Sequence, residues 1–265
     1  MTSLVLPRGD DFSLHLDEIA AAMDVGLPVP SVASELEFVF LCFTNRCGSN
    51  LVAEALASDG RVNLAAECYN AAEVLRAARQ LNLTNFSDYF AGVALHDQRS
   101  NRFIAKLAAD HLTLLFHAGI LSTIADRSSF IFVERSDKLG QAISMGLAET
   151  TLAWASYNNP ACPPESVAFS RGLVDHHIEL ILRQNLFFER FFAINGIVPH
   201  RVIYEHFVAS PDTAVCALGH AIGLSELRLR PENVRTKAQR GPVNGQWRQT
   251  YLAMRDATAL ISAEG

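Results

Sequence analysis

The residues best suited to chemistry stand directly after three apolar runs: "TNRCGSN" (residues 44–50), "ERSDK" (134–138) and "YEHF" (204–207). In the first stretch Gly48 allows a tight turn. The backbone N–H groups of such a turn, with the positive end of a following helix, suit an anion. Ser49 and Asn50 add side-chain hydrogen bonds, and the planar fork of Arg46 matches phosphate oxygens. This is not the lysine-bearing phosphate loop of nucleoside triphosphatases, because GxxxxGK[ST] is absent and no lysine precedes Ser49. A plain strand–helix turn is the alternative reading. In the second stretch Arg135 closes a strand and Ser144 follows on the next helix, a guanidinium and a hydroxyl suited to a second phosphate of the same ligand. Glu134 occupies the place of a metal-binding acid, but Arg135 beside it makes a magnesium site unattractive.

The elements that must position these residues alternate in type. "EFVFLCF" (37–43), "RFIAKLA" (102–108), "SSFIFVER" (128–135) and "HRVIYEHF" (200–207) read as strands. The first and third are continuous apolar runs of the kind buried on both faces of a parallel sheet. Helical spacing marks "HLDEIAAAMDVGL" and residues 49–58, 70–81, 112–125, 137–156 and 172–195. "SPDTAVCALGHAIGL" opens with a serine cap and a first-turn proline. The alternation predicts an α/β fold with a central parallel sheet flanked by helices. Ligands of such sheets bind at the carboxyl ends of strands, where all three chemical stretches fall. Neither a repeat nor a low-complexity linker divides the chain. The expected organisation is an N-terminal extension over 1–35 (a cover for the core, a lid or a dimer arm) and one domain over 36–265. "LFFERFF" (186–192) reads as core, with a dimer face or a lipid-acceptor groove as alternatives.

Composition limits the function classes. The 265 residues are 49% hydrophobic and 19% charged, a folded chain with a substantial core. A net charge of −6 gives no global drive toward nucleic acid or anionic membranes, so an anion site must be built locally. The five cysteines (42, 47, 68, 162 and 216) follow no zinc or CxxC spacing and read as free thiols in a reducing compartment. The N-terminus has no signal-peptide pattern, and no run approaches the ~20 apolar residues of a membrane helix. The expectation is a cytoplasmic protein with no transmembrane segment, no nucleic-acid partner and no metal, and with a homodimer left open.

"FVFLCFTNRCGSNLVAEAL" taken with "FIFVERSDKLGQAISMGLAETTLAW" resembles sulfotransferases that use 3′-phosphoadenosine-5′-phosphosulfate (PAPS), above all the bacterial trehalose 2-sulfotransferase-like family. The family's Arg-Ser-Gly-Ser-Thr is met by Arg46, Cys47, Gly48, Ser49 and Asn50. Its Arg-x-Asp-Lys with Gln-Ala-x-Ser is met by Arg135, Asp137, Lys138, Gln141, Ala142 and Ser144. "RVIYEHF" and "RGPVNGQWRQTY" resemble later segments, and the likeness spans roughly 36–255. It implies a P-loop-like sulfotransferase fold in which the first loop holds the 5′-phosphosulfate, with Arg46 on the leaving phosphate. It further implies that Arg135 and Ser144 hold the 3′-phosphate, that Arg240 and Gly241 close over it, and that Trp247 packs near the nucleotide. Departures are Cys47 for a serine or glycine, Asn50 for a threonine, and one extra residue between Gly241 and Gly245.

Sulfuryl transfer to a hydroxyl needs a base and a cation near the leaving oxygen. The family's glutamate after the first helix corresponds to Glu67 in "VNLAAECYN", which would suit a hydroxyl acceptor if partial burial raised its pKa; a solvated turn residue is the alternative. His111 is the competing base and His96 a weaker one, while adjacent His176 and His177 must face different sides of their helix. Lys106, at the end of the second strand, would touch the sulfonate or acceptor, or pair with an acid. Residues 67–73, 96–102 and 157–166 are expected to line a pocket for a carbohydrate, glycolipid-type or other small hydroxyl acceptor. The competing functions are a nucleotide-binding protein without catalysis and a P-loop-type small-molecule kinase.

Overall fold

The computed structural model describes residues 4–9, 12–26, 36–96, 101–237 and 241–263. Five strands, β1 (Glu37–Phe43), β2 (Asn63–Leu64), β3 (Arg102–Leu107), β4 (Ser128–Glu134) and β5 (His200–Ile203), form one sheet in the order β2-β3-β1-β4-β5. Every pairing is parallel. Eleven helices are described: α1 (Leu14–Ala20), α2 (Ser49–Ala57), α3 (Ala71–Leu81), α4 (Phe86–Leu95), α5 (Ala109–His117), α6 (Ile120–Ile124), α7 (Lys138–Thr151), α8 (Arg171–Ile194), α9 (Tyr204–Ala209), α10 (Pro211–Ala221) and α11 (Pro242–Ala263).

The apolar run of β1 serves two cores at once. Phe38, Phe40 and Cys42 join a core that also holds the α8 phenylalanines 187, 188, 191 and 192. Val39, Leu41 and Phe43 alternate onto the other face, against Val52 and Leu56 of α2 and Val215 and Leu218 of α10. This two-sided burial is why the strand lacks polar alternation. A third core joins α7, α8 and α11 through Ile143, Ile181 and Trp247. Leu4, Phe12, Ile19 and Met23 of the N-terminal extension are buried in the first core. No helix among the described residues is long and apolar enough to cross a membrane.

Two expected elements differ. The helix read over 112–125 is two helices, broken at Gly119, whose φ of +70° ends the first. The strand read over 200–207 stops at Ile203 and continues as α9. Strand β5 lies at the sheet edge and pairs only with Ile131–Glu134 of β4. Beyond Glu134 no strand remains to pair with, so the backbone meets its hydrogen bonds within a helix instead.

Candidate active site

Because β1 is flanked by β3 on one side and β4 on the other, the strand order reverses at β1, and a crevice opens at its carboxyl end. There a cleft of about 1400 Å³ collects Arg46, Gly48, Ser49, Asn50, Glu67, Lys106, His111, Arg135, Ser144 and Gly241. These residues, scattered over nearly two hundred positions, thus share one cavity. Cys47 is fully buried in the second core and does not line the cleft. Arg240 lies outside the described residues.

The loop between β1 and α2 is held in a form few residues adopt. Arg46 has φ +64° and Gly48 +96°. Non-glycine residues in that region cost of order 1–3 kcal/mol and cluster at functional sites. A Cβ on Gly48 would lie 2.2 Å from Cδ2 of Tyr204, so α9 presses directly on the loop. Buried Gln141 of α7 pins the turn by donating to Thr44 Oγ1 and Asn45 O, both at 2.8 Å. Its partner residues make that glutamine a functional support the sequence named without assigning it a role.

One corner of the cleft is cationic. Arg46 Nε donates to Ser144 Oγ at 3.0 Å, and its Nη1 donates to the carbonyl of Trp154. Arg135, 7% exposed, donates to Arg46 O at 3.4 Å and stands near Asp137 (3.6 Å) and Glu205 (3.8 Å). Glu205 in turn accepts from the backbone N–H groups of Ser136 (2.9 Å) and Asp137 (3.2 Å), fixing the turn after β4. Burial and then the charge of Arg135 lower the Arg46 pKa. An anion bound between the two guanidiniums would relieve that crowding.

The opposite wall is a directional polar chain. Ala108 N donates to His111 Nδ1 at 3.1 Å, so the neutral ring carries its proton on Nε2 and donates to Asn70 Oδ1 at 2.9 Å. Asn70 Nδ2 donates to Glu67 Oε2 at 3.2 Å. Lys106, 2% exposed, donates to both Glu67 Oε1 and Asn50 Oδ1. Ala66, just before Glu67, has φ +46°, and its carbonyl accepts from Lys106 N at 2.8 Å. Backbone strain therefore aims Glu67 at the end of β3.

This geometry corrects the expected titration of Glu67. Burial pushes its carboxyl up, but the charge of Lys106 and hydrogen bonds from Lys106 and Asn70 outweigh burial and hold it below its ordinary value. The sequence could not supply that pairing, which joins residues 39 positions apart. His111 is fully buried and lowered to about 3, by desolvation first and then by His15, whose ring stacks on it at 5.0 Å. Its acceptor nitrogen is already occupied by the hydrogen bond from Ala108 N.

Other expected site residues lie elsewhere. Trp247, 3% exposed, sits in the third core with its ring edge-on to Phe169 at 5.4 Å, and does not line the cleft. Of 96–102, residues 97–100 lie outside the described residues, and His96, Asn101 and Arg102 do not line it: His96 caps α4, and Arg102 begins β3 at the opposite end of the strands. Parallel strands are all entered from that end. Of 157–166, Tyr157 and Asn158 reach the cleft. His177 is buried against Glu149 (2.8 Å) between α7 and α8, and His176 is exposed, on different sides of the helix as the spacing requires. Asn70 lies within the expected 67–73 lining, but nothing local reveals its bonds to Glu67 and His111; His15, Lys237 and Arg248 also line the cleft and were not among the expected residues. Among the described residues no cluster of three or more His, Cys, Asp or Glu could hold a metal.

The family described as "Sulphotransf: Stf0 sulphotransferase" has a model that matches residues 91–254. Among solved structures, a sulfotransferase from Alicyclobacillus acidocaldarius is 12% identical, with 82% of this chain and 91% of that one covered and a TM-score of 0.48. Retinol dehydratase with androsterone and inactive cofactor PAP is 14% identical over 83% of this chain and 66% of that one, with a TM-score of 0.39. The same enzyme with retinol and PAP is 15% identical, with 83% and 67% covered and a TM-score of 0.36. No curated protein sequence matches the chain significantly.

Proposed function

This chain belongs to the Stf0 sulphotransferase family, and from that premise we propose that it moves the sulfuryl group of PAPS to a hydroxyl of a carbohydrate or glycolipid-type acceptor. The acceptor oxygen bonds to sulfur while the bond from sulfur to the 5′-phosphate oxygen breaks. Adenosine 3′,5′-bisphosphate (PAP) leaves with the electron pair, and Glu67 takes the hydroxyl proton. Arg135 and Ser144 hold the 3′-phosphate, and Arg46, expected on the leaving phosphate, joins them because its Nε donates to Ser144. The N–H groups of the loop at Gly48 and Ser49 hold the 5′-phosphosulfate, and Lys106 supplies charge at the breaking bond. In-line transfer needs positive charge where the leaving group develops negative charge, and these side chains can provide it without a divalent ion.

The observation that carries this reading is that Lys106 stands between the anion loop, through Asn50, and the carboxylate of Glu67. A leaving-group cation and a proton acceptor thus adjoin in one cleft. At about 1400 Å³ the cavity exceeds the roughly 300–1,000 Å³ of single-ligand sites, which leaves room for donor and acceptor together. Asn70, Asn158, Glu73 and Asp110 on its walls suit a hydroxyl-rich acceptor, with Trp154 and Tyr157 at the margin to stack on a sugar ring. The departure at Cys47 is silent, because its side chain points away from the ligand space.

Calorimetric titration with PAP, with ADP, and with ADP plus magnesium tests the donor. PAP is expected to bind without metal and ADP far more weakly. Arg135→Ala should weaken PAP by roughly tenfold or more, the scale of a lost hydrogen bond to a charged group. Preference for ADP with magnesium would overturn the reading in favour of a kinase.

A further inference from the structure

We infer that Lys106 couples the two halves of the cleft: with the donor site empty it holds the Glu67 carboxylate, and an anion on the loop draws it off, freeing that carboxylate to accept a proton. The inference rests on the PAPS reading and adds an order of events to it.

The argument begins with a count of protons. A lysine ammonium has three to donate. In Lys106 one goes to Glu67 Oε1 and one to Asn50 Oδ1, while the Phe43 ring lies 4.2 Å from Nζ. An anion on the Gly48–Ser49 turn therefore competes for protons already committed. Asn50 is the second residue of α2, directly after the Gly48–Ser49 turn, and accepts from Lys106, so the link from loop to lysine runs through the very residue that departs from the family pattern. Its amide oxygen sits one bond farther out than a threonine hydroxyl would, which lets it span to β3.

Glu67 has a second support that does not depend on the donor. Asn70 holds Oε2, and Asn70 is itself oriented by His111. When Lys106 shifts, the carboxylate stays in place and loses only its counter-ion. The groups facing it are then Lys106 from β3, Asn50 from α2, Asn70, and His111 from α5, with His15 of α1 stacked behind; Asp110 and Glu73 line the same cleft. His111 is neutral above about pH 3, so the ring at the end of this hydrogen-bond chain does not replace Lys106. A carboxylate paired tightly to lysine is a weak base, and one released in a half-buried site is a stronger one. Basicity thus rises only when the sulfuryl donor is present.

A double-mutant cycle on PAP affinity, read by calorimetry, tests the coupling without any acceptor. Glu67→Gln removes the competitor for Lys106 and should tighten PAP about fivefold or more, the usual scale of a coupling between sites. In a Lys106→Met background the same Glu67→Gln change should alter affinity less than twofold. If Glu67→Gln tightens PAP equally in both backgrounds, the carboxylate acts by direct repulsion and the coupling is overturned. Proton uptake, measured from binding heats in two buffers of unequal ionisation enthalpy near pH 5.5, gives a second readout should Lys106→Met fail to fold. The parent should take up more protons on binding PAP than Glu67→Gln does, and equal uptake overturns the coupling. Absence of PAP binding to the parent overturns the donor reading itself, and the coupling with it.

Discussion

The two walls of the cleft are built by opposite strategies. The anion wall draws on one continuous stretch, Thr44–Asn50, and on the first turns after β4. Its working parts are backbone N–H groups and side chains within a few residues of a strand end. The proton wall is assembled from α1, the turn after β2, the start of α3, the end of β3 and the start of α5. Both walls store strain at a non-glycine residue, Arg46 on one and Ala66 on the other. Binding an anion needs only a local turn shape, because the donors belong to the backbone. Handling a proton needs a chain of side chains with fixed polarity, and only tertiary packing brings those together.

The sharpest way to break this division is Glu67→Gln. The substitution keeps the shape, retains one of the two hydrogen bonds that the carboxylate accepts, from Asn70 or from Lys106, and removes the proposed proton acceptor. Sulfuryl transfer should fall by about 10²–10⁴-fold, while PAP binds no more weakly than to the parent. Single-turnover release of PAP from PAPS, beside calorimetry on the same preparation, measures both. Were PAP binding lost together with transfer, Glu67 would belong to the anion wall and the two strategies would collapse into one.

Gly48→Ala attacks the other wall. The new Cβ must sit at φ +96° and overlap the Tyr204 ring, so about 2 kcal/mol or more of stability should go, with PAP affinity falling as the turn deforms. In a chain of this size that is roughly 4–8 °C in Tm. Adding Tyr204→Ala should restore the part due to the clash and leave the part due to the backbone angle. An unchanged Tm in Gly48→Ala would mean that α9 does not set the loop.

The same contrast explains what the sequence disclosed. The strands β1 and β4 were legible because burial on both faces leaves unbroken apolar runs, and the anion loop was legible because it is contiguous. Arg135 and Ser144 could be placed beside it because they begin the neighbouring βα unit. The family's glutamate pointed to Glu67, but its depressed pKa was invisible, since Lys106 reaches it only once β2 and β3 pair. Trp247 was drawn toward the nucleotide by resemblance; α11 instead turns it into the core against Phe169. Arg102 was expected at the pocket but begins β3 at the far end of the strands, because spacing does not say which end of a parallel sheet a residue serves, whereas connectivity does. The edge strand β5 was read too long for a similar reason: its end depends on where β4 stops offering partners.

His111→Gln carries the smallest expected effect and tests the division most finely. The imidazole ionises at about 3 in the folded protein and near 6.5 when unfolded. Above pH 6.5 both forms are neutral and nothing is linked to pH. As pH falls toward 3 the unfolded chain takes up a proton that the folded chain refuses, so stability present above 6.5 is progressively lost. Glutamine cannot titrate, yet it retains an amide donor for Asn70. The variant's Tm should therefore fall less steeply than the parent's between pH 6.5 and 5, a difference of up to about 2 kcal/mol for one proton over that interval. Transfer activity should change only a few-fold, because Asn70 keeps its orientation and Glu67 its hydrogen bond. If the parent's activity instead shows a limb near pH 6.5 that vanishes in His111→Gln, the histidine takes the acceptor's proton. The proton wall would then be centred two residues further along the chain of hydrogen bonds than Glu67, beyond Asn70.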